Sequence, residues 1–131
     1  MSWQSYVDSS LVGSGHVDKG ALVSLAGDST WAASPGFELK PNEMKVIASI
    51  VSGDNDAMTK AYSDGLYLAG SRYVMARAED GKIYARSGKL GVAIAKTTQA
   101  IVIGHHGEHQ VAGNATSTVE SLAQYLIGLK Y

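Results

Sequence analysis

Apolar side chains near the start of the chain recur at intervals of three and four: Trp3, Tyr6, Val7 and Leu11. That spacing places them on one side of a helix, predicted over residues 3–11 and ended by Gly13-Ser14-Gly15. The pattern then shortens to two apolar runs, 21–25 and 29–33, on either side of Ala26-Gly27-Asp28, which predicts a hairpin with glycine in the turn. Pro41 suits a first helical turn, and Met44, Ile47, Ala48 and Val51 follow at amphipathic spacing until Ser52-Gly53-Asp54-Asn55-Asp56 stops the helix. From Leu66 onward short apolar segments alternate with turn signals at Gly70-Ser71, Glu79-Asp80-Gly81-Lys82, Ser87-Gly88 and Lys96-Thr97-Thr98, the signature of an antiparallel meander over roughly 66–103. The polar stretch from Gly104 to Gly113 reads as a loop. Val119, Leu122, Ala123, Leu126 and Ile127 predict a closing helix, with Ser117-Thr118-Val119-Glu120 as its capping box.

Helix, strands, helix, strands, helix around one antiparallel sheet is an α+β architecture, with the two end helices side by side on one face. No repeat, low-complexity tract or linker interrupts residues 1–131, and a chain of this length buries about two thirds of its unfolded surface, so a single domain is expected. The absence of cysteine removes disulfides, thiolate metal sites and thiol catalysis. Eleven basic and twelve acidic residues give a formal charge of −1, which leaves no basic footprint for nucleic acid. With no basic segment leading into an apolar run, and no apolar stretch long enough to span a bilayer, a soluble cytoplasmic protein is expected.

Three groups of side chains carry candidate chemistry. Trp3 and Tyr6 lie near one end of the sequence and Tyr125 and Tyr131 near the other, with Trp31 in the predicted hairpin; if the ends meet, they form an aromatic platform. Trp and Tyr suit a polyproline II ligand, because pyrrolidine rings lie on aromatic faces while indole N–H and phenol O–H donate to its exposed carbonyls. On residue type alone, ordinary core packing of these rings is an equal reading. Arg72, Arg77, Arg86, Lys89 and Lys96 are spread over neighbouring strands and turns and suit either carboxylate recognition or a solvated sheet edge. Strict alternation sends Arg72 and Arg77, five residues apart, to opposite faces unless a strand end or bend intervenes. His105-His106-Gly107-Glu108-His109 offers metal-ligand types at a spacing that matches no established zinc arrangement. Gly13-Ser14-Gly15-His16 lacks the Gly-Lys-Ser/Thr of a phosphate-binding loop, and no nucleophile is placed beside a base, so neither an enzymatic activity nor a cofactor is expected.

Several separated segments, in order, resemble the profilins, and in particular the short fungal and amoeboid type: Ser2-Trp3-Gln4-Ser5-Tyr6-Val7-Asp8, Asp28-Ser29-Thr30-Trp31-Ala32, Leu68-Ala69-Gly70-Ser71-Arg72-Tyr73 and Leu122-Ala123-Gln124-Tyr125-Leu126-Ile127-Gly128. The resemblance covers the whole chain. It implies a central antiparallel sheet with the N- and C-terminal helices on one face and a further helix on the other. It also implies two partners on separate surfaces: proline-rich segments of assembly factors such as formins, held by Trp3, Tyr6, Trp31, Tyr125 and Tyr131, and monomeric actin, met by Arg72, Arg77 and Arg86 with Glu120 alongside. Lys89, Lys96 and His109 are grouped with the actin-facing set. Regulation of actin polymerisation in the cytoskeleton and binding of phosphoinositide lipids by the same cations follow from the same resemblance. Two readings of other classes compete with it: a small α+β ligand-sensing domain with an apolar pocket, and a metal-dependent hydrolase using His106 and His109.

Overall fold

Seven strands, β1 (Lys19–Ser24), β2 (Thr30–Ala33), β3 (Leu66–Leu68), β4 (Ser71–Glu79), β5 (Lys82–Ser87), β6 (Leu90–Lys96) and β7 (Ala100–His106), form one antiparallel sheet in the order β2-β1-β7-β6-β5-β4-β3. The computed structural model describes residues 2–131. The meander from β3 to β7 pairs neighbour with neighbour, and the β1–β2 hairpin joins it by pairing β1 with β7. The hairpin turn is as expected: Gly27 has φ +74 and is packed so tightly on the following helix that a Cβ there would lie 2.6 Å from the Met44 carbonyl oxygen.

Alternation along the strands divides the apolar side chains between two cores. Ile101 and Ile103 of β7, with Val92 and Ile94 of β6, face the helices α2 (Pro41–Val51) and α3 (Asn55–Asp64). Val102, Ala93 and Ala95 point the other way, to the N-terminal helix and to α4 (Ala112–Gly128). Small residues on that second face let α4 approach closely, since a Cβ at Gly104 would sit 2.6 Å from Val119 Cγ2. Each fully buried Leu, Ile or Val contributes about 1.5–3 kcal/mol relative to exposure, so this two-sided filling of β6 and β7 anchors the fold. Among the described residues no helix is long and apolar enough to cross a membrane.

The N-terminal helix begins as α1 (Trp3–Ser5), continues as a wider π-helical stretch Tyr6–Leu11 and tightens into a 3-10 turn Val12–Ser14, where Gly15 at φ +82 ends it. Three details depart from the expectations. The polar run after α2 both stops that helix and starts another, because Asp54 caps α3 by accepting from the Asp56 and Ala57 amides at 3.0 and 3.1 Å. The face opposite the terminal helices therefore carries two helices, not one. Helix α4 starts at Ala112, so Ser117-Thr118-Val119-Glu120 lies inside it and caps nothing. Strand β7 runs on to His106, which shortens the loop expected from Gly104 to Gly113.

Candidate functional site

Where the N-terminal helix and α4 lie together on the sheet, five aromatic rings join in one cluster. Trp3 is central: its ring centroid is 4.7 Å from Trp31, 5.0 Å from Tyr131 in edge-on geometry, and 5.8 Å from Tyr6. Tyr6 in turn lies 6.2 Å from Tyr125. All five aromatic residues singled out from the sequence are thus brought together from three distant parts of the chain. The cluster is rooted and also open, with Tyr6 only 7% exposed while Tyr125 and Tyr131 are 54% and 41% exposed. Burial, with the Tyr125 hydroxyl close by, holds the Tyr6 phenol above the usual tyrosine range, so it remains a hydrogen-bond donor.

Both flanks of the cluster are tied down. Gln4 Nε2 donates to the Ala33 carbonyl at 3.0 Å, fixing the N-terminal helix on β2 beside Trp31. Ser2 caps that helix through the Ser5 amide at 3.1 Å. On the other side the Tyr131 main-chain oxygen accepts from Thr97 Oγ1 at 2.8 Å and from the Gln99 amide, and Gln99 Nε2 donates to the Lys130 carbonyl at 3.1 Å. These bonds hold Tyr131 on the β6–β7 turn and set it edge-on to Trp3. The rings are therefore pre-ordered, and a ligand loses little further side-chain entropy by ordering them.

Arg72, Arg77 and Arg86 lie on a second surface. A β-bulge in β4 between Met75 and Arg77 resets the alternation, since Tyr73 and Met75 face the α2–α3 core while Arg77 pairs with Tyr84 on the α4 side. Arg72 and Arg77 consequently share a face despite being five apart. Arg86, paired with Val74, lies on the same face. Glu120 of α4 reaches across to Lys82 Nζ at 3.2 Å and Arg77 Nη2 at 3.8 Å. Arg72 is the most constrained of the set: its Nε donates to the Asp64 carbonyl at 2.8 Å, at the end of α3. His109 projects from the loop before α4, near Glu108 at 3.5 Å, and Lys89 lies in the β5–β6 turn.

Lys96 does not join them. It pairs with Ile101 on the α2–α3 side and lies along Gly81, so the sheet separates it from Glu120. The structure also adds members that residue type alone did not suggest. Tyr67 and Val74 are exposed apolar side chains beside Arg72 and Arg86, and an open groove between β4, β5 and the start of α4 is lined by Arg77, Tyr84, Ala112, Gly113 and Thr116. An exposed valine opposite an arginine in a strand was the available signal.

The histidines do not converge. His105 and His106 are consecutive strand residues and point to opposite faces, and among the described residues no group of three or more His, Cys, Asp or Glu is placed to hold a metal ion. His106 Nδ1 lies 3.2 Å from the Gly107 carbonyl, which can only accept, so in the neutral ring Nε2 accepts from the Tyr84 hydroxyl at 2.8 Å. The two rings stack within 8° of parallel, and Gly91 leaves the room, since a Cβ there would lie 2.4 Å from Nε2.

A fold with two terminal helices on one face of a seven-stranded antiparallel sheet, and an aromatic cluster where those helices meet, defines a small class of proteins, and the comparisons say which. The family model described as Profilin matches residues 1–131. The profilin of Saccharomyces cerevisiae is 46% identical over 132 residues and that of Schizosaccharomyces pombe 43% identical over 131, each covering 100% of both chains. A crystal structure of the Schizosaccharomyces pombe protein superimposes with a TM-score of 0.91 at 41% identity, covering 99% of this chain and 100% of that one. The fold extends to a mouse profilin IIa at 22% identity, TM-score 0.82 and full coverage of both chains, seen in complex with a double repeat from the FH1 domain of mDia1. The chain belongs to the profilin family.

Proposed function

We propose that this chain is a two-sided adaptor that holds proline-rich segments on its terminal aromatic cluster and an actin monomer on the face formed by β4, β5 and α4. The observation that carries the reading is the convergence of Trp3, Tyr6, Trp31, Tyr125 and Tyr131 into one half-open cluster. Such a surface offers flat ring faces to prolines and N–H and O–H groups to carbonyls, the two things a polyproline II helix presents. The mouse relative that shares this fold is seen with a double repeat from the FH1 domain of mDia1, which agrees with that chemistry. Family membership supports the second half, in which Arg72, Arg77 and Arg86 meet carboxylates of actin with Tyr67, Val74, His109 and Glu120 around them. Carrying both partners at once raises the local concentration of actin beside a proline-rich assembly factor, which places the work of the protein in the cytoplasmic cytoskeleton. The same cations suit phosphoinositide headgroups, whose binding would then compete with actin. A ligand-sensing role would need a pocket walled by apolar strands; the inward side chains of β6 and β7 are instead consumed in two filled cores.

Titration with a proline peptide, followed by the fluorescence of Trp3 and Trp31, tests the first half. Saturable binding is expected, weakened in Trp3→Ala by about 2 kcal/mol or more, the size of one aromatic hot spot. Circular dichroism on the variant separates lost binding from lost folding. A folded Trp3→Ala protein that binds proline as well as the unaltered one would sink the reading.

A further inference from the structure

Tyr6 and Tyr125 are not the limit of the cleft they occupy. Both also form one end of an open groove of about 540 Å³ that continues between the N-terminal helix and α4, lined beyond them chiefly by Ser10, His16, Asn114, Ser117 and Ser121. From Tyr125 back to Asn114 the wall of α4 is about 16 Å long at 1.5 Å per residue. A polyproline II chain advances about 3.1 Å per residue, so roughly five further residues of a ligand lying along the cleft would fall in this extension.

Its chemistry differs from that of the cluster. No ring other than Tyr6, Tyr125 and His16 lines it, so pyrrolidines have little to stack on. The side chains of Ser10, His16, Asn114, Ser117 and Ser121 make no hydrogen bond to another described residue, whereas the neighbouring Thr118 hydroxyl is used on the Asn114 carbonyl at 2.8 Å. The wall is therefore a row of solvent-facing donors and acceptors that no described residue engages. Proline has no N–H, so a continued proline run would displace water from these acceptors without offering them a donor. Any other residue brings a main-chain N–H, and a polar one brings a side-chain partner as well. No Asp, Glu, Lys or Arg lines the groove, which favours uncharged residues.

We propose that this groove is a subsite for the uncharged polar residues flanking a proline tract, so that the chain reads where a tract ends as well as the tract itself. The inference rests on the proline-binding reading and extends it. The test compares octaproline with octaproline carrying Ser-Gln-Asn on its N-terminal or its C-terminal side, titrated against the unaltered protein and a Ser117→Ala/Ser121→Ala variant. Alanine is favourable at exposed helix positions, so the variant keeps its fold. One of the two extended peptides is expected to bind about three- to tenfold tighter than octaproline, the scale of one or two net hydrogen bonds. That gain should vanish in the variant while octaproline affinity stays unchanged. The subsite is overturned if neither extension tightens binding, if the gain survives in the variant, or if the variant weakens octaproline equally. Failure of octaproline to bind the unaltered protein would overturn the proline-binding reading itself, and the subsite with it.

Discussion

Glu43 is a buried carboxylate that makes no ion pair with another described residue, and three main-chain amides donate to it. It accepts from the Lys40 N–H at 2.8 Å at the start of α2, from the Ala69 N–H at 2.8 Å and from the Gly70 N–H at 2.9 Å. The last two belong to the β3–β4 turn, where Ala69 and Gly70 both have positive φ, +50 and +85. One side chain therefore completes a helix start and fastens the turn that launches β4 with Arg72 on it. Glu43→Ala leaves three donors short of a partner near the surface of a core, and a loss of roughly 2–4 kcal/mol is expected in urea unfolding. Glu43→Gln should cost less, because its oxygen can keep the Lys40 and Ala69 amides while its NH2 group faces only the Gly70 N–H. A change below about 0.5 kcal/mol in Glu43→Ala would show that water replaces the carboxylate. Half of this arrangement was legible in the sequence: Pro41 marks the start of the helix. The other half was not, because nothing local announces that amides 26 and 27 residues away will arrive at the same carboxylate.

Strand β7 ends in a pair of histidines that composition alone assigns to a polar loop, and its neighbours decide otherwise. Once β1 and β6 pair with it on both edges, Lys19 stands opposite His105 and Gly91 opposite His106, and both imidazoles are buried. His105 packs edge-on to Phe37 and Tyr73, and its Nδ1 meets Asp18 Oδ1 at 2.6 Å. Burial lowers its affinity for a proton below that of an ordinary histidine; Asp18 opposes the shift, and Lys19 and His106 add to it. Since the folded form holds this proton less tightly, the unfolded chain takes it up first as pH falls below about 6.5. Stability should therefore drop from that pH down to the lower folded value, where the slope levels off. Unfolding free energies measured at about pH 7.5 and about pH 5.5, with the carboxylates still ionised, check it. Asp18→Asn removes the opposing carboxylate, so the drop should reach further into acid; an identical pH profile would mean that His105 is not the titrating group. Helix α3 escaped notice because its apolar stripe is short, Ala57, Met58 and Ala61 with only Ala61 fully buried, and its capping residue was read as a stop.

Over the whole molecule the α+β class and the terminal helices were readable from apolar side chains at regular spacing, whereas the five-ring cluster was readable only on the condition that the ends meet and from the family resemblance. The second surface was only half readable, because it depends on the bulge in β4, a single extra residue that aligns Arg72 with Arg77 and carries no composition of its own. Helix α4 contributes to both surfaces. Glu120 and Tyr125, five positions apart, are about 140° apart around its axis, so the same rigid element presents an acid to one surface and a phenol to the other. Because the two surfaces lie on different sides of one helix, the two proposed activities should separate cleanly. Arg86 is the sharpest probe of the second, being exposed and making no ion pair with another described residue, whereas Arg72 also fastens the end of α3. Arg86→Glu should lower affinity for monomeric actin by about tenfold or more, near 1.4 kcal/mol, while leaving proline-peptide binding within about twofold. Trp3→Ala should do the reverse. Sedimentation or fluorescence titration with actin, run beside the proline titration on both folded variants, decides the matter. If either substitution weakened both partners to the same degree, the surfaces would be one site, and the adaptor mechanism would lose its geometric basis.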